Sequence, residues 1–118
     1  ARHIEHPNIV VDQVVDFMDA QILQVIVYER KKTWVPFVIQ LPNSILEDKD
    51  EVMLYRLKLG DFVLLTDEMP GDGYWPYDKQ MRRLYPQLKA WCDGHLRLVD
   101  SYILFGRRMS LYERREYP

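Results

Sequence analysis

Cysteine is nearly missing from this chain: Cys92 is the only one in 118 residues. No internal disulfide can form, and the expectation is a reducing compartment, cytosol or nucleus. No apolar run approaches the length of a membrane span. The first residues, ARHIEHPN, are polar and lack the apolar stretch of a secretion signal, so none is expected. Histidine is scarce too, and His3, His6 and His95 do not combine with Cys92 into the spacing of a tetrahedral metal site. Gly71 and Gly73 stand in a GDG turn without the lysine and the strand–helix setting of a phosphate loop. The acidic groups Glu47, Asp48, Asp50, Glu51 and Asp67, Glu68, Asp72 lack the ligand pattern of a calcium loop. His95 lies three residues after Cys92, yet a lone cysteine is more often a buried apolar side chain than a nucleophile. These gaps predict no cofactor, no metal and no catalytic machinery.

What the chain does have is apolar bulk. Apolar residues make up 47% and aromatics 13%, enough for one domain with its own core. The net charge of −2 hides an asymmetry. Residues 1–78 carry seven basic against fourteen acidic side chains, and residues 79–118 nine against four. The two sets either pair within the fold or mark two surfaces with different partners.

The local pattern reads mostly as strand. EVMLYRLKLGDFVLL, residues 51–65, alternates Val52, Leu54 and Arg56 with Met53, Tyr55 and Leu57, breaks at Gly60-Asp61, and resumes. A strand bending at glycine suits the corner of a small barrel. Residues 21–28, QILQVIVY, are a strand by composition. Glu29 to Lys32 make a charged hairpin tip. Residues 33–41 form the next strand, with Pro36 marking an edge or bulge. Residues 1–8 are a flexible lead. Residues 10–18 suit a short helical turn, with Asn8 or Asp12 as its cap. Residues 66–94 form a long connecting segment, with short helical turns at 77–91 interrupted by Pro86. Residues 95–105 and 109–113 form a last hairpin, and 114–118 are loose. The predicted fold is all-β: a single small closed β-barrel of two antiparallel halves joined by a long loop, since closure removes exposed edges.

Two sets of surface residues follow. Basic and aromatic residues interleave in the second half: Arg82, Arg83, Lys89, Arg97, Arg107 and Arg108 with Tyr102 among the rings. Small barrels that bind single-stranded DNA or RNA use such sets, stacking bases on rings while cations follow the phosphates. The competing account places the rings in the core and the arginines at its rim, and an overall acidic chain starts poorly for counterion-driven binding.

The second set comes with a resemblance. Val27-Tyr28, then charged residues, then Thr33-Trp34-Val35-Pro36, resembles a hairpin of the T-cell leukaemia/lymphoma oncoprotein family, which includes the mature T-cell proliferation protein. Residues 50–69 are similar to that family's following hairpin. Met81-Arg82-Arg83-Leu84-Tyr85-Pro86 resembles its Met-Trp-Gln-Leu-Tyr-Pro segment, and Arg97-Leu98-Val99, Gly106, Leu111 and Glu113 fall at the spacing of its last hairpin. Arg82 and Leu96 stand where the family has tryptophan. The resemblance implies an eight-stranded barrel and a non-enzymatic adaptor. Family members bind the pleckstrin-homology domain of Akt kinase, promote its activation and form homodimers. Positions beside the matched hairpins, Glu29, Arg30, Lys31, Lys32 and Trp34, are the candidates for partner contact, although Trp34 suits the core better than a contact anchor. A subunit of a larger complex, without independent activity, is the remaining reading.

Overall fold

Four residues, Asn8–Val11, form the first strand, β1, and Ile9, Val10 and Val11 are all buried. A strand apolar on both faces belongs between two layers. The computed structural model, which describes residues 7–12, 17–42, 49–67, 76–104 and 107–114, supplies both. After β1 come helix α1 (Phe17–Lys31), strand β2 (Phe37–Gln40), helix α2 (Asp50–Lys58), strand β3 (Phe62–Thr66), helix α3 (Pro76–His95), and strands β4 (Leu96–Leu104) and β5 (Arg107–Arg114). The sheet order is β2-β1-β3-β5-β4. β1 runs parallel to β2 and β3, while β5 is antiparallel to both of its neighbours.

Alternation along the strands sorts side chains to two cores. Ile9, Val11, Phe62, Leu64, Met109 and Leu111 meet Leu23 and Val27 of α1. Val10, Val63, Leu65 and Tyr112 meet Met53 and Leu57 of α2 and Met81, Leu84, Leu88 and Cys92 of α3. Helices on both faces of a mixed sheet, two pairings parallel and two antiparallel, make an α/β layered fold.

The expected all-β barrel is therefore overturned: the sheet is open, with β2 and β4 at its edges, and helices cover it. Residues 21–28 lie in α1, because Leu23 and Val27, one turn apart, insert together into the core. Glu29, Arg30 and Lys31 form the last turn of that helix rather than a hairpin tip. Residues 50–58 are helical, with Met53 and Leu57 buried, Asp50 and Glu51 in the first turn and Arg56 and Lys58 in the last, a charge order that suits the helix dipole. The helical turn expected at 10–18 is a strand at Val10 and Val11, and α1 starts only at Phe17; residues 13–16 lie outside the described residues. Pro36 precedes a strand of only four residues, β2, at the sheet edge.

Most of the long connecting segment is α3, which passes through Pro86 unbroken. Proline in a helix costs about 3 kcal/mol or more. Burial of Met81, Leu84 and Leu88 returns about 1.5–3 kcal/mol each, and Pro86 itself is exposed. The last hairpin is as expected: β4 and β5 pair from Leu96↔Arg114 to Leu104↔Arg107, with a bulge between Leu98 and Asp100. The leading residues 1–6 and the final 115–118 lie outside the described residues.

The turn into β3 is tight against β1. A Cβ on Gly60 would stand 2.9 Å from the Phe62 carbonyl oxygen, 2.9 Å from Val10 Cγ2 and 3.0 Å from Val63 Cγ2. Gly60→Ala should lower stability by about 1–3 kcal/mol, the range for an overpacked core. A urea titration should show an earlier midpoint at unchanged slope, and a wild-type midpoint would mean that the turn yields freely.

Candidate functional site

Two places in the fold could carry function. The first is the carboxyl edge of the sheet between β1 and β3. The chain goes from β1 to β2 on one side and returns to β3 on the other, and open α/β sheets place ligands at such reversals. Asp12 stands there, fully buried. It accepts the Thr66 amide at 2.8 Å and the Thr66 hydroxyl at 2.7 Å. Next to Thr66, Asp67 accepts the Tyr85 hydroxyl at 2.9 Å and the Ser110 hydroxyl. Both carboxylates are thus engaged within the fold, as a clamp joining β1, β3, β5 and α3. Burial pushes the Asp12 carboxyl up to about 6, against the pull of its Thr66 hydrogen bonds.

Cys92 is buried under α3, and burial pushes its thiol up to about 12, far from a reactive thiolate. The His95 ring stacks on Trp91 at 4.7 Å and donates from Nδ1 to the Trp91 carbonyl at 2.9 Å. No Cys–His pair is built. Among the described residues no group of three or more His, Cys, Asp or Glu side chains could hold a metal ion.

The second place is the outer side of α1. Its inner side delivers Leu23 and Val27 to the core, yet Ile22 (44% exposed), Val25 (46%) and Tyr28 (49%) point away from it. Gln21, Ile22, Val25 and Ile26 line a shallow depression of about 260 Å³ with mainly apolar walls. The stripe continues beyond the helix. Tyr28 meets Trp34 edge to face, with centroids 6.5 Å apart, and Trp34 is 52% exposed. Val35, the next residue, turns inward and is buried, while Gln24 donates to its carbonyl at 2.9 Å. This alternation is what directs Trp34 outward.

Of the residues expected to contact a partner, the structure separates two from three. Arg30 reaches back to the sheet, with 3.2 Å to Asp100 and 3.0 Å to the Tyr102 hydroxyl, and its guanidinium lies over the Tyr102 ring. Lys31 lies 3.1 Å from Glu113, which Arg97 also holds at 2.7 Å. These two fasten α1 to β4 and β5. Glu29, Lys32 and Trp34 lie on the exposed side. Lys32 ends the helix at φ 54 and sits 5.9 Å above the Tyr28 ring. Ile22 and Val25 did not stand out in the sequence, and Tyr28 did so only within the Tyr28…Trp34-Val35-Pro36 resemblance, not as a contact residue. The available signal was that QILQVIVY places apolar residues at every angle around a helix, which a helix covered on one side does not need.

The basic and aromatic set of the second half is dispersed. Arg82, Arg83 and Lys89 lie on α3. Arg83 is bound bidentately to Asp50 at 2.9 Å, which holds that carboxylate down at about 2. Lys89 meets the Tyr112 hydroxyl and, at 3.4 Å, Asp93. Arg97 and Tyr102 belong to the opposite, α1 side of the sheet through Glu113 and Arg30. Arg107 and Arg108 begin β5, where Arg107 adds to the field at Asp12. No single groove joins these described residues. No family model, curated protein or solved structure matches the chain.

The Asp12 clamp has a pH signature. Unfolded, Asp12 titrates near 3.8; folded, near 6. The folded protein therefore keeps a proton that the unfolded chain has released. The stability this contributes is complete below pH 3.8 and is lost as pH rises through about 6. Relative to Asp12→Asn, the wild type should lose on the order of 3 kcal/mol across that interval. Urea midpoints measured from pH 3.5 to about 7 test it; parallel profiles for the two proteins would rule it out.

Proposed function

We propose that the chain is a non-enzymatic protein-binding module that engages a partner protein through the outer side of α1 and Trp34. One observation carries this: α1 is apolar on the side that faces away from the core. Leaving Ile22, Val25, Tyr28 and Trp34 half in water forgoes burial of about 25 cal/mol for each Å² of apolar surface. Contiguous apolar surface rimmed by charge is the usual mark of a protein contact, and Trp and Tyr are the side chains that most often dominate one. Glu29 and Lys32 supply the rim.

The exposed apolar residues of β4, Leu98 and Ile103, are a weaker candidate. A bulge distorts that edge between Leu98 and Asp100, a common protection against strand addition. The oligonucleotide-binding alternative needs a continuous cationic groove, which the placement of Arg97 and Tyr102 opposite α3 does not favour. The pleckstrin-homology domain of Akt kinase came with a barrel. An open sheet covered by helices offers no such barrel, so the partner is a protein of another kind than that domain.

The test is affinity capture with wild type, Trp34→Ala and Leu98→Glu in parallel, followed by titration of a purified captured protein. Leu98→Glu should bind as wild type does. Trp34→Ala, whose side chain is outside the core, should fold normally and bind at least about tenfold more weakly. Equal binding by all three would remove α1 and Trp34 as the contact.

A further inference from the structure

We infer that Asp100, held by Arg30, is a lock on the open β4 edge of the sheet, and that it keeps that edge from pairing with β4 of a second copy of this chain. The liability comes first. β4 is nine residues long and has a neighbour, β5, on one side only. Opposite Ile103, Arg108 turns its carbonyl away from β4 to the Asp67 amide at 2.8 Å. In an antiparallel ladder such a residue belongs to a wide pair, and every second pair repeats the arrangement. Ile103, and Ser101 opposite Ser110, therefore aim their own backbone groups outward. Leu98 (53% exposed) and Ile103 (70%) add apolar surface to the same edge. A long apolar edge of this kind is a template for another strand.

The strand that fits it is β4 itself. The bulge lets Val99 and Asp100 together take one place opposite β5, so Leu98 and Ile103 both stand two places from Ser101 and share a face. Antiparallel pairing about Ser101 would set Leu98 of each copy against Ile103 of the other, a closed two-fold contact. Asp100 stands in its way. Its Oδ1 accepts the Ser101 amide at 2.8 Å, the donor that pairing on the axis would need. Its Oδ2 meets Arg30 at 3.2 Å, which fixes the carboxylate over that amide. The bulge makes the arrangement possible. Val99 packs against the α1 core and Asp100 follows on that same face, opposite Leu111. In regular alternation Asp100 would share the face of Leu98, and Arg30, from α1, would lie across the sheet from it.

Sedimentation of the full chain and of variants tests the lock. Asp100→Thr, a strand-forming change at a partly exposed position, should keep the circular-dichroism spectrum of wild type and self-associate at least about tenfold more tightly. Adding Ile103→Lys should return the association to the wild-type value. Ser101→Cys in the Asp100→Thr background should give a covalent dimer with a short bis-maleimide, and Ser101→Cys alone should not. Should Asp100→Thr fail to fold, Arg30→Gln, a change off the sheet, carries the test and should strengthen association about threefold. A folded Asp100→Thr that sediments as wild type does up to about 100 μM would overturn the lock. Association that survives Ile103→Lys would overturn it too, as would equal cross-linking with and without Asp100 or, in the fallback, an unchanged Arg30→Gln.

Discussion

The fold depends on holding a four-residue strand in the middle of the sheet. β1 is too short to secure its own register, and it is fixed at both ends to β3. At the amino end Asn8 and Asp61 bond reciprocally: the Asn8 amide donates to Asp61 Oδ2 and the Asp61 amide to Asn8 Oδ1, each at 3.0 Å, and Asn8 Nδ2 reaches the Leu59 carbonyl at 3.1 Å. At the carboxyl end Thr66 gives both of its donors to Asp12. Between these clamps the parallel ladder needs only Ile9↔Phe62 to Val11↔Leu64 to be in step. A one-residue slip would turn Val10 toward α1 and Ile9 and Val11 toward α2 and α3. The clamps and the side-chain alternation thus enforce the same register.

The division of labour between the two faces follows. On one side α2 and α3 share the covering work, and Tyr112 fills the space between sheet and helices while its hydroxyl donates to Asp93. On the other side α1 is the only described helix. It is drawn down by Leu23 and Val27, and its end is tied by Arg30 to Asp100 and by Lys31 to Glu113. The basic residues there face the sheet, but they come from the acidic half and meet carboxylates of the basic one; the two charge halves seen in the sequence pair instead at Asp50 with Arg83 and Asp61 with Arg114. The charges were legible, but not their direction. That a charged run forms a helix end rather than a hairpin tip depends on where Val27 inserts.

The hairpin of β4 and β5 was readable because two long runs rich in strand-forming residues flank the turn signal at Gly106, even though the bulge between Leu98 and Asp100 breaks the alternation of β4, and the α3 stripe of Met81, Leu84 and Leu88 was readable despite Pro86. Residues 21–28 misled for a definite reason. β-branched content suggests strand, and the periodic signal that would identify a helix is erased when Ile22 and Val25 make the outer side as apolar as the inner. Residues 51–58 misled because Met53 and Leu57 satisfy a period of two as well as a spacing of four. Asp12 gave no local sign of its role, since its partner, Thr66, is 54 residues away. By its type Trp34 suits either a contact anchor or the core, and type alone favours the core. That it lies outside the core rested on Val35 and Gln24, contacts that composition does not encode.

The burial of Cys92 has a further consequence. Sealed beneath α3 at 0% exposure, with its thiol shifted up to about 12, it is silent toward alkylating reagents while the domain is closed. Its labelling under native conditions would therefore count openings of the layer between α3 and the sheet, making one native sulfur a clock for the breathing of that side of the molecule.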